Sequence, residues 1–257
     1  MSDYDNRFGG IARLYGQDAA AILRASHVLV AGIGGVGTWA AEALARSGVG
    51  AITLVDMDDI CTTNTNRQIH ALASTIGRPK TTVMAERIRD INPDCRVTAV
   101  DDFVTPDNVP ELLAGGFDYV IDATDSLGAK AAMIAWCKRN KVRIVTIGGA
   151  GGQVNPTQVQ VADLTKTIQD PLARKLKERL RRVYHFSKTR KFGVDCVFSS
   201  EALKYPQPDG SACTSKQAQG SMRMDCASGF GASMVVTATF GLVAVARVLE
   251  KLTGVKG

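Results

Sequence analysis

Six polar side chains in the first half of the chain are of the types that manage a polyphosphate. They are Asp56, Asp58, Asn64, Arg67, Lys80 and Asp125. Splitting a triphosphate moves negative charge onto the departing pyrophosphate, and Arg67 and Lys80 can neutralise it. An acid at a strand end, for which Asp125 is best placed, can hold Mg²⁺ through oxygen. Asp122, three residues earlier, reads as structural. Taken singly, Lys80 is an ordinary first-turn lysine and Arg67 a surface ion pair. Their co-occurrence is what points to phosphate chemistry.

These residues follow a turn that would hold a nucleotide. Residues 28–37 read Val-Leu-Val-Ala-Gly-Ile-Gly-Gly-Val-Gly, a short apolar run ending in Gly32, Gly34, Gly35 and Gly37. An Ala-rich stretch, Thr38 to Ser47, follows. Strand, glycine turn and helix start is the arrangement that brings backbone N–H groups to a phosphate, although a purely structural turn would look the same. The apolar run Ala51 to Val55 then ends in Asp56, about 20 residues beyond the glycines, where a ribose-binding acid is expected. A nicotinamide enzyme would need a flat apolar slot and one acid/base here. The chain instead continues with an acid pair, an amide, an arginine and a lysine.

The elements needed to position this set are also legible. Apolar runs at 28–31, 51–55, 96–100, 117–122 and 143–147 alternate with helical stretches at 38–47, 81–91, 106–114 and 130–140. Such alternation predicts an α/β fold with a doubly wound, mostly parallel sheet, whose ligands sit at the carboxyl ends of the strands. Asp18 to Ala25 reads as a helix ahead of it, and Gly9-Gly10 interrupts the pattern before that. Val154 to Ala162 alternates like a further strand, and Cys196 to Glu201 resembles a strand end. Tyr205 to Gln219 reads as a loop.

The chain has 257 residues, 45% of them hydrophobic, with a net charge of +6 that mildly favours an anionic partner. We expect one domain over 1–257: a core at 25–162, an insertion at 165–220 and a buried or interface helix at 227–252. The six cysteines form no C-x-x-C pair, so zinc is not expected. A polar N-terminus without a signal peptide reads as cytoplasmic. Ala227 to Ala246 carries no charge and has nearly the length of a membrane span, but its many small and hydroxyl residues favour a buried helix.

Between Pro171 and Lys191 the basic residues Arg174, Lys175, Lys177, Arg179, Arg181, Arg182, Lys188, Arg190 and Lys191 meet one acid, Glu178. Leu172, Leu176, Leu180 and Val183 fall on one helical stripe among them. Tyr184, His185, Phe186 and Phe192 are interleaved. This pattern suits a nucleic-acid contact better than a solvated amphipathic face.

The whole set of motifs resembles the adenylation core of the ubiquitin-activating (E1-like) superfamily. It comprises Gly32–Gly37, Asp56/Asp58/Asn64/Arg67/Gln68, Gly77/Pro79/Lys80, Asn92-Pro93 and Asp122/Asp125. The resemblance implies a Rossmann-like sheet of the E1-like adenylation type with a C-terminal extension. It implies ribose binding by Asp56 or Asp58, phosphate binding by Asn64, Arg67 and Lys80, and Mg²⁺ at Asp125. It also implies a homodimer in which Arg7 reaches the neighbour's triphosphate. Members that activate sulfur carriers usually have paired C-x-x-C ligands, absent here. Asp5-Asn6-Arg7-Phe8, Phe192 to Val197 and Gly210 to Ser221 resemble instead the tRNA threonylcarbamoyladenosine dehydratase family. That resemblance implies ATP-dependent cyclisation of N6-threonylcarbamoyladenosine at tRNA position 37 through an acyl-adenylate. Its ligands are ATP, Mg²⁺ and tRNA; a monovalent Na⁺ or K⁺ ion and a sulfur-transfer partner are left open. The alternatives are an activator of a ubiquitin-like sulfur carrier and a nucleotide-binding regulatory module. No catalytic cysteine is assigned; Cys213 and Cys226 read as bystanders.

Overall fold

The computed structural model describes residues 2–207, 209–214 and 230–256. In chain order the elements are α1 (Asp3–Tyr15), α2 (Gln17–Ala25), β1 (His27–Ala31), α3 (Gly37–Arg46), β2 (Ala51–Val55), α4 (Lys80–Ile91), β3 (Arg96–Val100), α5 (Val109–Leu113), β4 (Tyr119–Asp122), α6 (Leu127–Asn140), β5 (Arg143–Ile147), β6 (Val159–Asp163), α7 (Pro171–Val183), β7 (Asp195–Ser199), β8 (Tyr205–Pro206), β9 (Ala212–Cys213) and α8 (Met234–Thr253). Seven strands form one sheet in the order β3-β2-β1-β4-β5-β7-β6. All its pairings are parallel except β6 with β7. This is the doubly wound, mostly parallel sheet that the alternation of runs implied.

Side-chain alternation divides the core in two. Val28 and Val30 of β1, with Ile52, Leu54, Ile121 and Val145, face a layer built from α2, α3, α4 and α8. Leu29 and Ala31, with Val120 and Ile144, face α5, α6 and α7. Period-2 patterning with both faces apolar is what a parallel sheet covered by helices requires.

Several segments differ from the sequence reading. The N-terminal region is a helix that runs through Gly9-Gly10. A Ser2/Asp5 capping box starts it, and Tyr4 and Phe8 bury one face. Packing and capping here outweigh the weak helix propensity of two glycines. The helix at 106–114 shrinks to α5. The strand at 154–162 begins only at Val159, after a 3₁₀ turn over Pro156–Gln158. On α7 the buried stripe is Ala173, Leu176 and Leu180, while Val183 is 46% exposed. The 165–220 segment contributes β7 to the sheet between β5 and β6, so the core does not close at residue 162. The loop after Tyr205 contains the short antiparallel pair β8 and β9.

The uncharged C-terminal stretch becomes helical at Met234; Ala227, Ser228 and Gly229 lie outside the described residues, as do Cys226 and Ser215 to Ser221. Helix α8 buries Val236, Phe240, Ala244, Val245 and Val248 against the sheet and α3. Among the described residues no helix is long and apolar enough to cross a membrane.

Candidate active site

The chain leaves β1 through Gly32, whose φ of +86° is open to glycine and strained for other residues. A Cβ on Gly37 would lie 1.7 Å from the Gly32 carbonyl oxygen, so α3 can start this close to the strand only with glycine there. Around Gly34 there is open space, and the Arg67 side chain lies over Gly35. The turn also packs on the loop after β4: Ala123 and Thr124 are the nearest groups to Gly32.

Asp56, at the carboxyl end of β2, is tied to this turn. Its Oδ2 accepts the Ile33 N–H at 2.6 Å and its Oδ1 accepts the Asp58 N–H at 2.9 Å. Lys80, the first residue of α4, sends Nζ to Asp58 Oδ2 at 2.6 Å and stands 4.0 Å from Asp56 Oδ1. A bridge between Asp59 and Pro79 and the Lys80 N–H to Asp58 carbonyl bond hold the two segments together. The lysine side chain is 6% exposed, while that of Asp58 is 57% exposed. The cluster therefore has an anchored cation and an acid open to a ligand.

Arg67 donates Nη1 to the Thr63 carbonyl and to Asn66 Oδ1, and Trp39 Nε1 donates to its carbonyl. Buried Asn64 uses Oδ1 to accept the Cys61 N–H, which fixes the 3₁₀ turn ahead of Arg67. Asp125 is exposed and makes no ion pair or hydrogen bond with the described residues. Asp122 is fully buried. Its Oδ2 lies 3.1 Å from Lys130 Nζ and accepts Thr146 Oγ1 at 2.6 Å, and its Oδ1 accepts from Thr124. Lys130 also donates to the carbonyls of Asp122 and Thr124, so it braces the loop that carries Asp125.

Arg7 is not among these residues. It pairs with Asp3 at 2.7 Å on α1 and lines a groove of about 580 Å³ with Phe8, Arg46, Arg78, Glu86 and Arg87. His70 forms part of that groove's wall and also reaches the glycine turn, its Nε2 lying 3.2 Å from the Ile33 carbonyl. Burial pushes its pKa down to about 4, and its Nδ1 has no partner among the described residues.

The basic residues of α7 do not form one solvated face. Arg174, Lys175 and Arg182 are exposed, as are Lys188, Arg190 and Lys191 beyond the helix. Lys177 is held by the Thr167 carbonyl at 3.0 Å. Arg181 lies over the Phe192 ring at 5.5 Å, and Arg179 approaches Gly128 at the start of α6. The three buried thiols are poor nucleophiles. Burial raises Cys95 to about 11 and Cys137 to about 12, and pushes Cys196 up as well. Among the described residues no group of three or more His, Cys, Asp or Glu side chains could hold a metal ion.

Three residues of this region escaped the sequence reading: His70, Lys130 and Asp170. Asp170 caps α7 and accepts the Gly149 N–H at 3.0 Å. Two of them had a signal. Lys130 is the single charge within Ala129-Lys130-Ala131-Ala132 on an otherwise apolar helix face, and Asp170-Pro171 is a helix-start pair.

The ThiF family model matches residues 8–257. The chain is 64% identical over 249 residues to the tRNA threonylcarbamoyladenosine dehydratase of Escherichia coli strain K12, covering 96% of this chain and 93% of that one. It is 55% identical to the protein of that name from Haemophilus influenzae, covering 98% and 95%. The crystal structure of the E. coli enzyme in complex with ATP superposes with a TM-score of 0.88 at 58% identity, covering 98% of this chain and 96% of that one. This chain belongs to the ThiF family, in its tRNA threonylcarbamoyladenosine dehydratase branch.

Proposed function

We propose that the chain is an ATP-dependent tRNA dehydratase that cyclises N6-threonylcarbamoyladenosine. The threonine carboxylate of the modified nucleoside attacks the α-phosphate of ATP and displaces pyrophosphate. The neighbouring amide of the same modification then displaces AMP and closes the ring, with net loss of one water. Ring closure is intramolecular, so proximity supplies much of the second step. The observation that supports this reading is an open glycine turn with the Asp56–Asp58–Lys80 cluster bonded to it, packed against the loop that carries the exposed carboxylate of Asp125. The substrate brings its own carboxylate, so this chemistry requires no protein nucleophile.

In this reading Asp56 or Asp58 takes the ribose, and Lys80, Arg67 and the Asn64 amide take phosphates. Asp125 suits Mg²⁺, a hard cation that binds oxygen and keeps most of its ligands from phosphate and water. When bound, Mg²⁺ neutralises charge on the leaving pyrophosphate. Arg7 lies in a separate groove and serves the neighbouring subunit's triphosphate in a homodimer. In this reading the exposed arginines and lysines of α7 and the segment after it bind tRNA, which suits work on the cytoplasmic tRNA pool.

The test supplies ATP, Mg²⁺ and tRNA carrying the linear modification, and reads the nucleoside by mass spectrometry. Loss of one water is expected, dependent on ATP. No mass change, with pyrophosphate released only when a carrier protein ending in Gly-Gly is added, would instead establish the sulfur-carrier activity.

A further inference from the structure

A second cavity, of about 350 Å³, lies beyond the carboxyl ends of β5 and β7. It is at the lower end of the roughly 300–1,000 Å³ range of ligand sites. Arg174 and Lys177, one turn apart on α7, line one side; Tyr205 and Leu203 line another; Thr167 and Asp170 complete the wall. Lys177 is fixed by its bond to the Thr167 carbonyl, and Arg174 is exposed with no side-chain partner among the described residues. The N-terminus of α7 is already capped by Asp170, so these two cations make the cavity attractive to an anion.

Two of the walls are joined to the proposed adenylation site. Asp170 grips the Gly149 N–H, and Gly149 belongs to the loop leaving β5, the strand next to β4 and Asp125. On the other side Tyr205 packs on Phe230 with ring centroids 5.2 Å apart, and Phe230 lies against Gly151 and Gly152 of the same loop. A half-buried aromatic ring in the wall of a cavity that two cations also line matches one unpaired nucleotide, with its base against the ring and its phosphate against the guanidinium and ammonium groups.

We propose that this cavity holds the RNA nucleotide flanking the one whose carboxylate is activated, its base stacked on Tyr205 and its phosphate held by Arg174 and Lys177. The proposal rests on the tRNA-dehydratase reading and assigns that substrate a second point of grip. It would fix the strand on both sides of the glycine loop while the modified base turns towards the nucleotide.

The test measures binding of an anticodon stem–loop RNA lacking the modification to the full chain at several salt concentrations. Tyr205→Ala and Tyr205→Leu should each bind about tenfold more weakly, the scale of one lost base stack, and Tyr205→Trp should restore the affinity. Arg174→Ala should lower the slope of log affinity against log salt by about one. ATP binding by calorimetry should be unchanged in every variant, and thermal melting checks the fold. Wild-type affinity in Tyr205→Ala, or full recovery with leucine, overturns the proposal, because leucine preserves packing on Phe230 but offers no stacking face. A wild-type chain that binds no stem–loop, or that binds it and never dehydrates modified tRNA, defeats the parent reading instead.

Discussion

Two lysine–aspartate pairs stand on either side of β1 and have opposite characters. Lys80 meets Asp58 at 2.6 Å at the end of β2, and Lys130 meets Asp122 at 3.1 Å at the end of β4. Asp58 is 57% exposed, whereas Asp122 and Lys130 are sealed from solvent. The donors of Lys130 are taken up by Asp122 Oδ2 and two carbonyls, and the carboxylate oxygens of Asp122 by Lys130, Thr146 and Thr124. The acid of the first pair is open to solvent, and in the proposed reading a phosphate takes its place on Lys80; the second pair has nothing to exchange. In the proposed reading the same two residue types serve binding in one place and scaffolding in the other, and the exposure of the acid decides which.

The largest effect should come from breaking the sealed pair. Lys130→Met leaves a buried carboxylate without its counter-charge and should cost about 3–5 kcal/mol of unfolding free energy. Urea denaturation measures it. Adding Asp122→Asn should recover part of the loss, because the stranded charge is then gone. A Lys130→Met protein of wild-type stability would mean that the β4 pair is no more committed than the β2 pair.

Lys80→Ala should behave in the reverse way. Pyrophosphate release should fall about 10²–10³-fold, the scale of losing one charge-stabilising donor. Stability should fall by about 1–2 kcal/mol, less than for Lys130→Met, since Asp58 is returned to water and only Asp56, 4.0 Å away, loses a neighbouring cation. If stability collapses while residual activity per folded molecule is unchanged, Lys80 is scaffold.

How much of this contrast was legible in the sequence follows from the range of the signals. Lys80 stands in Gly77-Arg78-Pro79-Lys80, whose turn and helix-start chemistry is local, and five strands of the sheet showed themselves through short-range periodicity. The position of β7 between β5 and β6 depends on pairings between distant segments, for which no local pattern exists. Asp122 could be read as structural, yet its partner could not be identified: the Lys130 pairing is a matter of which way a helix faces. The orphaned nitrogen of His70 was likewise invisible, because burial on two sides by Ile33 and the α1–α4 groove is purely tertiary.

His70 offers a smaller effect that sharpens the comparison, since it is a buried base with no counter-charge. Its folded pKa of about 4 lies below the ordinary 6.5, so the unfolded chain takes up the proton first. Stability from this group is complete above pH 6.5 and declines as pH falls towards 4. Between pH 7.5 and 5 the loss should be about 2 kcal/mol. Urea titrations at several pH values measure it, and His70→Gln should flatten that part of the curve. His27, lowered by desolvation in the same direction, contributes to what remains. An unchanged slope in His70→Gln would place the titration elsewhere.

The smallest change should come from Asp58→Asn, and it tests the contrast most directly. The substitution removes the nearest acid from Lys80 at 2.6 Å, a shorter contact than Lys130 has with Asp122. Were distance the measure of an ion pair, this would be the costlier loss. Asp58 is mostly hydrated, however, and Lys80 keeps Asp56 Oδ1 at 4.0 Å, so the loss should stay under about 1 kcal/mol in urea. ATP affinity should fall only a few-fold, the scale of one exposed hydrogen bond near 1 kcal/mol. Asp122→Asn, compared in the same experiment, should be several-fold more destabilising, because Lys130 would be left as a buried cation. Equal losses in the two variants would make solvent exposure irrelevant and remove the distinction between an exchangeable pair and a committed one.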